Sequence, residues 1–274
     1  MCRKLYLAIF LLVINFFSPT FGNAINTPQH DLNQQNVLAV LWANTSAEYR
    51  AICYQCYNLA THQLKDYIAK HKKKDKPLAV VVDCDNTILF DGPFQAYLIE
   101  SGKGYNSKDW VQYVSEANLM PVPGALEFLQ FAAKNKCEVF YVPNRKMKTE
   151  LEGTVKNLKK FNFPFVDEAH MLLRTDSSDK QIRFNEIQKT HNIVLYIGDN
   201  LNDMPIGTDI SDNKKRIAIT DSHKDEFGAK FIILPNPMYG GWENSLADNY
   251  LKLPPNQKGI LRKALLNSWV PENN

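Results

Sequence analysis

The chain has 274 residues, of which 45% are hydrophobic and 22% charged, with a formal net charge of +3. Those proportions exclude an intrinsically disordered chain. The charge falls to +1 without Arg3 and Lys4 and gives no reason to expect a nucleic-acid polymer as partner. Four cysteines beyond Cys2, namely Cys53, Cys56, Cys84 and Cys137, are too few for a disulfide scaffold at this length.

At the N-terminus Arg3 and Lys4 precede the apolar run Leu5 to Phe17, and the small residues Gly22 and Ala24 follow. This is the pattern of a secretory signal peptide over residues 1–24, and the apolar run is short for a membrane span. The expected mature protein is residues 25–274, a single α/β domain, periplasmic or secreted. No stable membrane anchor is expected, because no cysteine follows the apolar run where a lipid would attach.

From Asp31 to Lys70 the pattern predicts two helices, the second opened by a capping box of Thr45 and Glu48. Cys53 and Cys56 have the spacing of a redox or zinc pair. They also lie on the apolar stripe Tyr49, Ile52, Cys53, Cys56, Ala60, with no second pair or His cluster nearby, so core packing is expected. The basic run His71 to Lys76 reads as a solvated helix end.

Pro77 ends that run, and Leu78 to Val82 predicts a strand buried on both faces that stops on Asp83-Cys84-Asp85-Asn86-Thr87. The next strand, Glu138 to Val142, arrives more than 50 residues after Val82, where a simple strand-helix-strand return needs roughly 30. An insertion over about 91–122 accounts for the excess. Helices are expected from Pro123, over Met147 to Phe161 and over Ser178 to Thr190. Strands are expected at Met171 to Leu173, Ile193 to Ile197, Arg216 to Ile219 and Phe231 to Leu234. The alternation predicts a doubly wound parallel sheet.

The strand ending at Ile197 also runs into acids, in Gly198-Asp199-Asn200-Leu201-Asn202-Asp203. An Asp-rich turn is an ordinary way to end one strand. Two buried strands with acidic ends, more than 100 residues apart, instead predict convergence in the crevice at the carboxyl edge of the sheet. Such a cluster of oxygen ligands suits Mg²⁺ in a site that receives phosphate. In this chemistry Asp83 attacks phosphorus. Asp85 protonates the leaving group and then activates water, while Asp199 holds the metal with support from Asp203. Lys180 falls in the first turn of its helix, where a cation is unfavourable unless an anion lies close, and so is assigned to bound phosphate or to Asp83.

Asp83-Cys84-Asp85-Asn86-Thr87, Lys180 and Gly198 to Asp203 resemble the first, third and fourth motifs of the haloacid dehalogenase (HAD) superfamily. More narrowly, Trp42 to Arg50, Pro121 to Phe128 and Pro235 to Glu243 resemble stretches of the bacterial class C acid phosphatases, the 5′-nucleotidase-like lipoprotein e family. The resemblance implies a HAD-like Rossmannoid fold with a helical cap after the first core strand. It also implies Mg²⁺ held by Asp83, the Asp85 carbonyl and Asp199, and hydrolysis of small phosphomonoesters such as 5′-nucleotides. Many of these relatives are lipid-anchored, and this chain lacks the cysteine.

A second departure concerns the phosphate contact. The family's second motif places Ser or Thr where this chain has Pro143, which offers neither hydroxyl nor amide proton. Asn144, and Thr87 in the first motif, are the expected phosphate contacts. The aromatic residues Trp110, Tyr239 and Trp242 are candidate substrate contacts by the same resemblance, and Phe94, just beyond Gly92-Pro93, is expected to line the mouth if the cap folds over the site. The aromatic residues serve equally well as core or homodimer contacts. Two alternatives stay open: a phosphotransferase of the same fold, and a phospho-ligand binding protein whose catalysis has decayed.

Overall fold

The computed structural model describes residues 27–210 and 212–271. The expected signal peptide lies outside the described residues. Six strands occur among the described residues: β1 (Leu78–Val82), β2 (Leu89–Phe90), β3 (Met120–Pro121), β4 (Glu138–Tyr141), β5 (Asn192–Gly198) and β6 (Phe231–Ile233). Four of them form a parallel sheet in the order β4-β1-β5-β6, with β1 and β5 central.

The all-apolar runs behave as two-sided strands. Val80 and Val82 of β1 pack on the face covered by the helices Ala47–Lys70, Ala125–Lys134 and Met147–Lys160, whereas Ala79 and Val81 pack on the other face with Phe184 and Ile187 of the helix Gln181–Thr190. Val82 is in register with Tyr141 on one side and Ile197 on the other, so three strands end together at the carboxyl edge of the sheet.

The insertion forms a cap. β2 and β3 pair antiparallel at its base, and the helices Gly92–Ser101 and Ser107–Ser115 lie between them. Phe94, Trp110 and Val114 make a small core of their own, with Tyr97, Leu98 and Tyr113 packed around it.

Several local expectations change. The segment Asp31 to Lys70 belongs to three helices, Pro28–Gln34, Val37–Thr45 and Ala47–Lys70. The third is capped by Ser46, whose Oγ accepts from the Tyr49 amide at 3.0 Å. Thr45 closes the preceding helix, with its hydroxyl donating to the Leu41 carbonyl. Arg216 to Ile219 is not a strand but part of the helix Asn213–Ser222, because Asp212 caps the amides of Lys214 and Lys215 and that start outweighs the β-branched Ile217 and Ile219. Met171 makes only a single bridge to Tyr141 at the sheet edge. The helix expected from Pro123 begins at Ala125, with Gly124 at φ +86° in the turn before it. Cys53, Cys84 and Cys137 are buried, Cys56 is half-buried, and all four are free thiols.

Candidate active site

The turn after β1 carries the first acids. Its tight path puts Asn86 in the left-handed region at φ +53°, a conformation asparagine tolerates better than most residues, and the Asn86 amide donates to the Leu89 carbonyl at 2.8 Å. Asp83 stays attached to the neighbouring strand, its amide donating to the Ile197 carbonyl at 3.0 Å. After β5 the short helical turn Leu201–Asp203 is closed by a reciprocal cap between Asn200 and Asp203. Gly198 is required here: a Cβ at this position would lie 2.2 Å from Asp203 Oδ2.

These two turns bring Asp83, Asp199 and Asp203 together, with one oxygen of each inside a 4.8 Å cluster. Lys180, at the N-cap of the helix Gln181–Thr190, reaches in with its ammonium 2.7 Å from Asp203 Oδ1 and also hydrogen-bonded to Asp83 Oδ1. Asp199 is fixed from two sides, by Asn236 Nδ2 donating to Oδ2 at 2.7 Å and the Thr87 hydroxyl donating to Oδ1 at 3.3 Å.

Burial pushes the Asp83 carboxyl above its usual range, opposed by Lys180 and reinforced by Asp203 and Asp85. Burial and the neighbouring Asp203 and Asp83 do the same to Asp199. Burial works against the Lys180 charge, but Asp203 and Asp83 outweigh it and hold the ammonium above its ordinary value. Three carboxylates therefore share one ammonium in a buried cluster. That donor set fits a hard divalent cation, which would balance the remaining negative charge with oxygen ligands alone.

The cluster opens into a cavity of about 650 Å³, whose walls include Asp85, Asp91, Asn144, Arg145 and Tyr239 from the core and Tyr105 and Trp110 from the cap. Asp85 stands apart from the three clustered acids, paired with Arg145. The exposed Asn144 has its Oδ1 held by Arg183 Nη2 at 2.7 Å, which leaves Nδ2 as its donor. Arg183 also bonds the Pro143 carbonyl, so the loop after β4 is clamped although it lacks a hydroxyl.

Some expected contacts lie elsewhere. Thr87 is fully buried and its hydroxyl supports Asp199, so it does not reach substrate phosphate. Phe94 is 2% exposed inside the cap core and does not line the mouth; Tyr105, 63% exposed, is the accessible aromatic residue there. Trp110 faces the cavity with its ring near Arg145. Tyr239 also lines it, but its hydroxyl is committed, donating to Asp91 Oδ2 at 2.7 Å and accepting from Asn86 Nδ2 at 2.9 Å. Trp242 lines a separate depression beside the helix Asn213–Ser222.

Sequence reasoning missed Arg145, Asp91 and Asn236 as site residues. Arg145 and Asn236 could have been found, because both follow the carboxyl ends of parallel strands, where ligands of such sheets bind.

Comparison with known proteins agrees with this geometry. Residues 19–242 match the HAD superfamily, subfamily IIIB (acid phosphatase). The crystal structure of the class C acid phosphatase from Bacillus anthracis with tungstate bound is similar at a TM-score of 0.83 and 36% identity, over 88% of this chain and all of that one. A further structure of the class C acid phosphatase from Bacillus anthracis gives 0.82 and 35% at the same coverage. The fold is HAD-like and the chain is a phosphomonoester hydrolase by family. By sequence, fold and acidic cluster the chain belongs to the class C acid phosphatases of HAD subfamily IIIB.

Proposed function

We propose that this phosphatase is a Mg²⁺-dependent enzyme that hydrolyses small phosphomonoesters, 5′-nucleotides among them, through an aspartyl-phosphate on Asp83. The observation that carries the reading is the meeting of Asp83, Asp199, Asp203 and Lys180 at the carboxyl ends of β1 and β5. Asp83, the Asp85 carbonyl and Asp199 would hold the metal, with Asp203 in support. When bound, the cation neutralises charge between the anionic nucleophile and the anionic ester. The tungstate in the Bacillus anthracis relative supports an oxyanion site, since tungstate is a tetrahedral oxyanion like phosphate.

A carboxylate oxygen of Asp83 attacks phosphorus as the ester P–O bond breaks, and Asp85 gives its proton to the departing alkoxide. Asp85 then takes a proton from water. The water oxygen bonds to phosphorus, the P–O bond to Asp83 breaks, and inorganic phosphate leaves. Lys180 holds Asp83 and Asp203 in place through its hydrogen bonds to both. Tyr105, exposed in the cavity wall, supports a planar leaving group, and stacking of a base on an aromatic ring is worth roughly 1–3 kcal/mol.

Phosphate release from p-nitrophenyl phosphate and a set of 5′-nucleotides, with Mg²⁺ and with EDTA, tests the reading. Turnover that survives EDTA would overturn the metal assignment, and acceptor alcohols that take most of the phosphoryl group would make the enzyme a phosphotransferase. The leader-like sequence of residues 1–24 supports export. N-terminal sequencing of protein recovered outside the cytoplasm should find a start near Asn23 to Ile25.

A further inference from the structure

Arg145 is the cation nearest the proposed acid-base residue, and its nitrogens are committed to protein groups. Nε donates to both Asp85 oxygens, at 3.2 and 3.1 Å, and Nη2 donates to Asp85 Oδ1 at 2.6 Å. Nη1 donates to Thr154 Oγ1 at 2.9 Å, and that hydroxyl spends its own proton on the Glu150 carbonyl at 2.6 Å. The Arg145 side chain is 1% exposed. From the cap, the Trp110 ring lies against the guanidinium, with ring centroid and Cζ 5.6 Å apart. The indole of Trp110 is held in turn, its Nε1 donating to Glu150 Oε2 at 3.4 Å. The same oxygen accepts from the Lys146 amide at 2.8 Å at the start of the helix Met147–Lys160.

We propose that Arg145 is a positioning residue that fixes the Asp85 carboxylate at the cavity wall, and that Trp110 makes this alignment depend on the cap. The proposal rests on the reading of Asp85 as the acid-base group. A carboxylate on a turn can rotate, and proton transfer requires it within roughly 2.6–3.2 Å of its target. In the carboxylate form a two-pronged, charge-assisted clamp removes that freedom, and in the acid form Oδ2 carries the proton while Nη2 and Nε still hold Oδ1. An arginine that bound substrate phosphate would keep its fork for the substrate, whereas this fork is closed on Asp85. The cap thereby acts on the chemistry through two contacts, Trp110 to Arg145 and Arg145 to Asp85, as well as by covering the cavity.

The test uses leaving groups. p-Nitrophenolate departs without a proton and an alkoxide does not, so kcat/KM is measured for p-nitrophenyl phosphate and for β-glycerophosphate, together with Ki for inorganic phosphate. Arg145→Lys keeps the charge and loses the fork. It should lower kcat/KM on the alkyl ester by about a hundredfold and on the aryl ester by less than about tenfold, with Ki for phosphate within about threefold of the parent, since general-acid catalysis supplies roughly 10²–10⁴. Trp110→Leu should show the same pattern at about tenfold, and Trp110→Phe, which restores a ring face, should recover most of that loss. The tryptophan variants leave the buried ion pair intact and keep the test open if Arg145→Lys folds poorly. Equal losses on both esters, or a Ki for phosphate that rises in step with them, would overturn the proposal. Asp85→Asn run in parallel separates the two failures. If Asp85→Asn discriminates between the esters and the Arg145 and Trp110 variants do not, only the positioning role is lost. If Asp85→Asn does not discriminate, the acid-base reading goes with it.

Discussion

Lys180 and Asp203 meet at 2.7 Å, and the same ammonium also bonds Asp83, so one cation ties together the turns after β1 and β5. All three side chains are at most 10% exposed. Lys180→Met would leave buried carboxylates without their cation, and breaking a buried pair in this way costs roughly 3–5 kcal/mol. We expect a lower melting temperature in EDTA, partial recovery on adding Mg²⁺, and a loss of kcat of at least about a hundredfold. A melting temperature unchanged in EDTA would show that the ammonium does not hold the two turns together.

Asp83→Asn separates stability from chemistry. The amide removes one of the clustered negative charges while Lys180 keeps Asp203 as its partner. The variant should therefore melt at or above the parent temperature without metal, and turnover should fall to background. Substantial residual turnover, with the fold intact, would rule out a covalent route through Asp83.

The two acid-bearing turns could be read from the chain because physics marks them twice, by an apolar run that only a central parallel strand accommodates and by carboxylates at its carboxyl end, where such sheets bind ligands. Asp83, Asp199, Asp203 and Lys180 meet for that reason. Thr87 was harder to place. Its position in the motif suggested phosphate, but what a buried hydroxyl faces depends on a residue 112 positions away. Phe94 failed similarly, since sequence marks an aromatic residue in the cap without saying that four other rings, those of Tyr97, Tyr105, Trp110 and Tyr113, surround it. The helix at Arg216 was hidden because β-branched residues outweigh one capping aspartate in any local reading.

Pro143 tests how much a single missing hydroxyl matters. Its carbonyl is held by Arg183, and a threonine at the same position would keep that bond while adding a donor. One hydrogen bond to a charged group is worth roughly 1.5–3 kcal/mol, so Pro143→Thr should raise kcat/KM by about tenfold or more. Arg183→Ala should act oppositely by freeing both Pro143 and Asn144. An unchanged rate in Pro143→Thr would mean that Asn144 already fills the contact.

Asp91 gives the protein a pH dependence separate from the catalytic cluster. It is 1% exposed, its Oδ2 accepts from Tyr239 and Gln95, and its Oδ1 has no hydrogen-bond partner among the described residues. Burial, reinforced by Asp85, raises its pKa from 3.8 to about 6, against the hydrogen bonds from Tyr239 and Gln95. Between those two values the folded state binds the proton more tightly than the unfolded chain. This contribution to stability is therefore full below about pH 4 and lost as pH rises through about 6, to the extent of up to roughly 3 kcal/mol. Asp91→Asn retains an acceptor for Tyr239 and Gln95 and cannot ionise. Urea unfolding at pH 4 and pH 7 should show the variant gaining on the parent as pH rises. A stability difference that stays constant across that range would assign the titration to another group.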